Sequence, residues 1–159
     1  MLSDAFAARL AAADRSVIHD LVVSNTDLNV ANGTGSTPLM IATKGGYCDI
    51  VESLLACGAL PNATGAYGMS ALHDASAAGH LSVVLTLIGA GAHVNLQNDD
   101  GVTPLMCAAA WGSVEVARAL VAAGADLHQR AKRGDTALDI ADEKGEDEMA
   151  AFLEASRDR

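Results

Sequence analysis

Aromatic side chains are nearly missing from this 159-residue chain: two Phe, two Tyr and one Trp make up 3% of it. Half of the residues are hydrophobic, so the apolar mass falls to Ala, Leu and Val. Such a core is thin and depends on many small, close contacts. Bases are also scarce, with ten Lys and Arg against twenty Asp and Glu, a net charge of −10. That field repels a phosphate backbone and argues against a nucleic-acid partner. The three cysteines, Cys48, Cys57 and Cys107, form no C-x-x-C pair, which speaks against a disulfide framework or a zinc site and for a reducing compartment. Residues 1–16 carry Asp4 and Asp14 and no basic stretch ahead of an apolar run, so they do not read as a secretory signal. The expectation is a cytoplasmic chain starting at Met1, of a length that suits one domain.

One long run lacks charge altogether. From Ala75 to Asn98 there is no Asp, Glu, Lys or Arg, a stretch long enough to cross a bilayer. Gly79, His80, Gly89, Gly91, His93, Asn95 and Gln97 interrupt it, and no membrane partner is expected.

What the chain does have is a repeat. Thr37-Pro38-Leu39-Met40 returns as Ser70-Ala71-Leu72-His73, Thr103-Pro104-Leu105-Met106 and Thr136-Ala137-Leu138-Asp139, with the same 33-residue step each time. Gly35, Gly68, Gly101 and Gly134 keep the phase two residues before the Thr/Ser, and Gly46, Gly79, Gly112 and Gly145 nine after it. Asn29, Asn62 and Asn95 share the period, as do the pairs Gly58-Ala59, Gly91-Ala92 and Gly124-Ala125. A Thr or Ser N-cap followed by Pro starts a helix, which the glycine nine residues on ends about two turns later. A second apolar stretch in each unit, such as Val83-Val84 with Leu87-Ile88, is spaced as one helical face. About twelve residues rich in Asn, Gly and Asp then lead to the next Thr, too few for another helix and suited to an extended arm with a tight turn.

Two short antiparallel helices and a turn, repeated with this period and with T-P-L-H-like and G-A-D-x-N-like signatures, resemble the ankyrin repeat over nearly the whole chain. The resemblance implies an all-α solenoid of about five 33-residue helix-turn-helix units with β-hairpin or turn connections. Residues 33–65, 66–98 and 99–131 read as full repeats within one domain, 1–159. Residues 132–159 read as a C-terminal cap, with Ala137 and Asp139 in place of Pro and His, and residues 1–32 as an N-terminal cap. The first unit departs most: Asp4 stands at the Thr position and the turn glycine has no counterpart, although Val17-Ile18, Leu21-Val22 and Asn29 are in phase. Terminal repeats have one neighbour and must wet their outer side. The six acids from Asp139 to Glu148 around Lys144 read as that solvated cap.

No catalytic, cofactor or metal constellation emerges, and no enzyme is expected. Gly33-Thr34-Gly35-Ser36 lacks the spacing and lysine of a phosphate loop, and neither His-Glu-x-x-His nor a serine elbow occurs. His73 sits where the family uses the ring to hydrogen-bond neighbouring backbone, while Met40 and Met106 occupy the same position as packing residues. The remaining histidines do not cluster. Cys57 and Cys107 fit small apolar packing positions.

The resemblance also implies a concave face that binds proteins, lined by hairpin tips and first helices. Register places there Gly33, Thr34, Ser36, Ile41, Lys44 and Gly45, a set that offers little. The next unit contributes Ala66, Tyr67, Met69, Asp74, Ala77 and Ala78, and the one after it Asp99, Asp100, Val102, Cys107, Ala110 and Trp111. The last contributes Lys132, Arg133, Asp135, Ile140, Glu143 and Lys144. The candidate contacts are Tyr67, Met69, Asp74, Asp99, Asp100, Val102, Trp111, Lys132 and Arg133. Scarce aromatics at exposed positions are typical anchors; the competing reading lays Trp111 over its neighbours' Ala side chains. Between Ser16 and Ala117 there are eight acids and one base, Lys44, so a partner with an apolar anchor and a basic rim is complementary. The acids equally serve to keep an Ala-rich solenoid in solution. The function expected is a non-catalytic protein-interaction module, monomeric on its own; the alternatives are an inhibitor, immunity-like or regulatory subunit of one enzyme, and a self-assembling scaffold.

Overall fold

The computed structural model describes residues 4–17, 20 and 27–157; Ile18, His19, Leu21 and Val22 lie outside the described residues. Helix α1 spans Asp4–Ala11, and the others come in pairs: α2 (Pro38–Lys44) with α3 (Cys48–Ala56), α4 (Ala71–Ala78) with α5 (Leu81–Gly89), α6 (Pro104–Ala110) with α7 (Val114–Ala122), and α8 (Ala137–Lys144) with α9 (Asp147–Arg157). Among the described residues there is no strand: the connections are turns, with one isolated antiparallel bridge, Thr64 to Ser70.

Three of the first helices begin on a threonine cap, followed by Pro at Pro38 and Pro104 and by Ala at Ala137. Thr37, Thr103 and Thr136 sit in extended backbone and accept at Oγ1 from the amides of Met40, Met106 and Asp139, all at 3.3 Å. Gly79 and Gly145 then end α4 and α8 at φ 71° and 73°, a left-handed conformation that residues with a Cβ avoid.

The first helices α1, α2, α4, α6 and α8 stack side by side in one layer, and α3, α5, α7 and α9 in a second. Small residues make the first layer possible: Ala42, Ala75, Ala108, Ala109 and Ala141 are buried where these short helices touch. Between the layers lie Leu39, Leu72 and Leu105, facing Ile50, Val51 and Leu54, then Val83, Val84 and Leu87, then Val116, Ala117 and Leu120, with Met149 and Leu153 at the end. Burying one such side chain stabilises by roughly 1.5–3 kcal/mol. The low aromatic content therefore reflects a core distributed along a stack. Cys107 is buried as expected, but Cys57 is exposed. It follows the last turn of α3, where the chain leaves the core for its glycine turn, so its in-phase position is not a packing position.

Polar ladders join successive units. Asn29 Oδ1 accepts from the Leu60 amide (2.7 Å), Asn62 Oδ1 from His93 (2.8 Å) and Asn95 Oδ1 from Asp126 (2.8 Å). Asn62 and Asn95 also donate through Nδ2 to the carbonyls of Gly91 and Gly124, both at 3.0 Å. At the turn tips, Ala66, Asp99 and Lys132 donate their amides to the carbonyls of Gly35, Tyr67 and Asp100. No helix among the described residues is long and apolar enough to cross a membrane; the uncharged run becomes α4, α5 and their turns.

Candidate protein-binding face

The third position of each first helix sets its local chemistry. His73 is fully buried; its Nδ1 accepts from the Ser70 amide (3.2 Å) and pairs with Ser70 Oγ (2.8 Å), and its Nε2 lies 3.0 Å from the Val102 carbonyl. Because the amide can only donate and the carbonyl only accept, the ring is neutral with its proton on Nε2. Burial holds its pKa below the ordinary range, against the pull of the Val102 carbonyl. Met40 and Met106 are buried here, and Asp139 instead accepts from the Thr136 amide (2.8 Å) and hydroxyl (2.7 Å).

One helical turn from the Thr/Ser cap, a row of residues runs along the outer side of this layer: Ile41, Asp74, Cys107 and Ile140. Together with the turn tips, Asp74, Cys107 and Ile140 of this row line two separate grooves. The first, about 250 Å³, lies between α2 and α4 and is bounded by Thr34, Met40, Lys44, Tyr67, Met69 and Asp74. The second, about 230 Å³ and more apolar, lies between α6 and α8 and is bounded by Val102, Cys107, Trp111, Arg133, Ile140 and Glu143. Tyr67 is 77% exposed and Trp111 70%, one ring on the lip of each.

Tyr67 is also held in the left-handed region, at φ 57°. The neighbouring turns differ from this one. In the turns before Ser36 and Val102, Asn32 and Asn98 each use Oδ1 to accept two amides further along, and only the glycine has positive φ. Gly65 occupies the equivalent place before Tyr67, so close to the preceding turn that a Cβ there would overlap the Gly35 carbonyl oxygen, and Ala66–Gly68 forms a single 3₁₀ turn with both Tyr67 and Gly68 at positive φ. A non-glycine residue there costs about 1–2 kcal/mol.

Sequence reasoning selected the lips of both grooves and missed parts of their walls. Tyr67, Met69 and Asp74 border the first groove; Val102, Trp111 and Arg133 border the second. Asp99, Asp100 and Lys132 line neither; they are exposed at turn tips, where their backbones carry the hydrogen bonds between units. The wall residues not chosen as contacts include Thr34, Met40 and Lys44 in the first groove and Cys107, Ile140 and Glu143 in the second; Lys44 stood among small neighbours in register that offered little. Arg133 is held by Asp135 (3.4 Å) and Glu143 (3.6 Å). Burial, with a contribution from Asp74, pushes the Cys107 thiol up to about 12, so it is a poor nucleophile. Among the described residues no three His, Cys, Asp or Glu side chains gather as a metal site requires.

Geometry and sequence meet in one comparison: a family model for ankyrin repeats, three copies long, matches residues 6–98 and again 79–157. The chain belongs to the ankyrin-repeat family. No curated protein matches it. Ankyrin repeats generally serve as protein–protein interaction modules and are typically non-catalytic. In this ankyrin-repeat chain, the two-layer stack, its paired helices and its 33-residue period follow from that membership.

Proposed function

We propose that the chain holds a protein partner non-covalently on the face carrying the two grooves, in the cytoplasm, and acts by scaffolding or steric block. Residues 33–131 form the three full repeats in this reading, flanked by caps at 1–32 and 132–159. The observation that carries it is the placing of Tyr67 and Trp111: in a chain with so few aromatics, two of the largest rings stand in solvent, each on the lip of a groove. Exposing them has a cost in hydration, and Tyr67 adds backbone strain. The partner expected has an apolar anchor and basic groups to meet the acidic surface.

The test is a pull-down with mass spectrometry from the native cell, followed by alanine substitution. Tyr67→Ala and Trp111→Ala should each lose about 2 kcal/mol or more of affinity for the recovered partner, with little change in melting temperature. Unchanged affinity together with a large fall in stability would mean that the rings serve packing alone.

A further inference from the structure

Asp74 is out of place. It occupies a row whose other members, Ile41, Cys107 and Ile140, are apolar, and its side chain is only 12% exposed. Its Oδ2 is buried and accepts no hydrogen bond from the described residues. The nearest cation, Lys44 Nζ, stands 3.7 Å away, beyond hydrogen-bonding range, on a side chain 54% exposed. A carboxylate taken out of water and left short of donors costs stability, and desolvation raises its pKa. Its place at the groove wall beside Tyr67 and Met69 points to a donor from outside the chain.

We infer that this groove receives an arginine side chain from an extended segment of the partner, and that the groove beside Trp111 takes a large apolar residue of the same segment. This rests on the protein-binding reading above. Arginine fits on three counts. Its planar fork supplies the donors that Asp74 lacks, its flat face stacks on an exposed ring such as Tyr67, and its charge suits a stretch of eight acids and one base. Lys44 then acts as a resident competitor that swings to solvent when the partner binds. The spacing follows from the fold. The grooves are two helix steps apart, and at 8–10 Å per step they lie about 16–20 Å apart. An extended chain advances about 3.3 Å per residue, so the arginine and the apolar residue are separated by roughly five or six positions.

The test pans a displayed library of random peptides, about a dozen residues long, on the full chain, then measures the selected peptides by fluorescence polarisation. The selected sequences should share an arginine roughly five or six residues from a large apolar residue. Asp74→Asn should weaken a matched peptide about tenfold or more and leave its citrulline analogue unchanged, while Lys44→Ala should tighten the arginine peptide about threefold. Melting temperature should rise in Asp74→Asn, which separates lost binding from lost fold. The inference fails if no such spacing is selected, or if binding depends on Tyr67 and Trp111 but not on Asp74; the protein-binding reading survives that result. Peptides indifferent to all three residues would overturn both.

Discussion

A single helix position shows how one local problem receives several chemical answers. The amide of each helix cap needs an acceptor three residues on, and His73 and Asp139 supply one directly. Met106 offers only a thioether, with Sδ 3.4 Å from the Thr103 amide, a weak acceptor. Met106→His should therefore stabilise the fold by about 0.5–1.5 kcal/mol above neutral pH, since the ring can bond the Thr103 amide and reach the Asp135 carbonyl as His73 reaches Val102. The pH dependence has a definite sign. Burial lowers the folded pKa of His73 below its ordinary 6.5, so as pH falls through that value the unfolded chain takes up a proton that the folded chain refuses. Stability from the histidine is complete above 6.5 and is lost below it. Asp74 works in the opposite direction: with its folded pKa raised above the ordinary 3.8, it favours the folded state as pH falls toward 3.8. Urea denaturation between about pH 5 and 8 should show the gain of Met106→His shrinking on the acid side; a gain independent of pH would mean that the new ring is not satisfied as His73 is.

At the scale of helices and turns, stability passes from unit to unit through the asparagine ladder. Asn62 binds the next turn with two hydrogen bonds, so Asn62→Ala should cost about 1–3 kcal/mol and broaden the thermal transition as neighbouring units uncouple. His128 holds the same place in the last turn before α8, where its ring makes no hydrogen bond to the described residues, and His128→Ala should stay within about 0.5 kcal/mol. Equal losses at the two positions would show that the asparagine acts within its own turn rather than between units. The same elements show what a sequence can reveal. The helix starts at Thr37, Thr103 and Thr136 and the stops at Gly79 and Gly145 were readable because cap chemistry is local, and the regular phase of the asparagines marked them without saying what they bind. The partners of Asn62 lie in the following unit, at Gly91 and His93, and only stacking brings them together. The face was readable as a set of register positions, but its division into two grooves was not, because that depends on where long side chains such as Lys44 and Tyr67 reach between neighbouring units, which register does not give. Cys57 misled for a related reason: phase marks equivalent positions, and equivalent positions at a helix end need not be buried.

Over the whole molecule, charge is the quantity that salt can vary without touching a contact. The net −10 repels itself, and the eight acids against one base between Ser16 and Ala117 concentrate that repulsion on the central units. The Debye length is about 10 Å at 0.1 M salt and falls as salt rises, so the repulsion is screened and the folded chain should gain stability, seen as a higher urea midpoint. A partner drawn by those acids should respond in the other direction, its affinity falling about tenfold between roughly 0.05 and 0.5 M NaCl, mostly through slower association. Measuring both on one sample separates the two uses of the acids. If stability rises while affinity is constant, the charge serves to keep an Ala-rich stack in solution, and the partner is held by Tyr67 and Trp111 alone. If affinity falls as stability rises, the same carboxylates that strain the folded chain attract its partner, and binding relieves at Asp74 a cost that folding leaves in place.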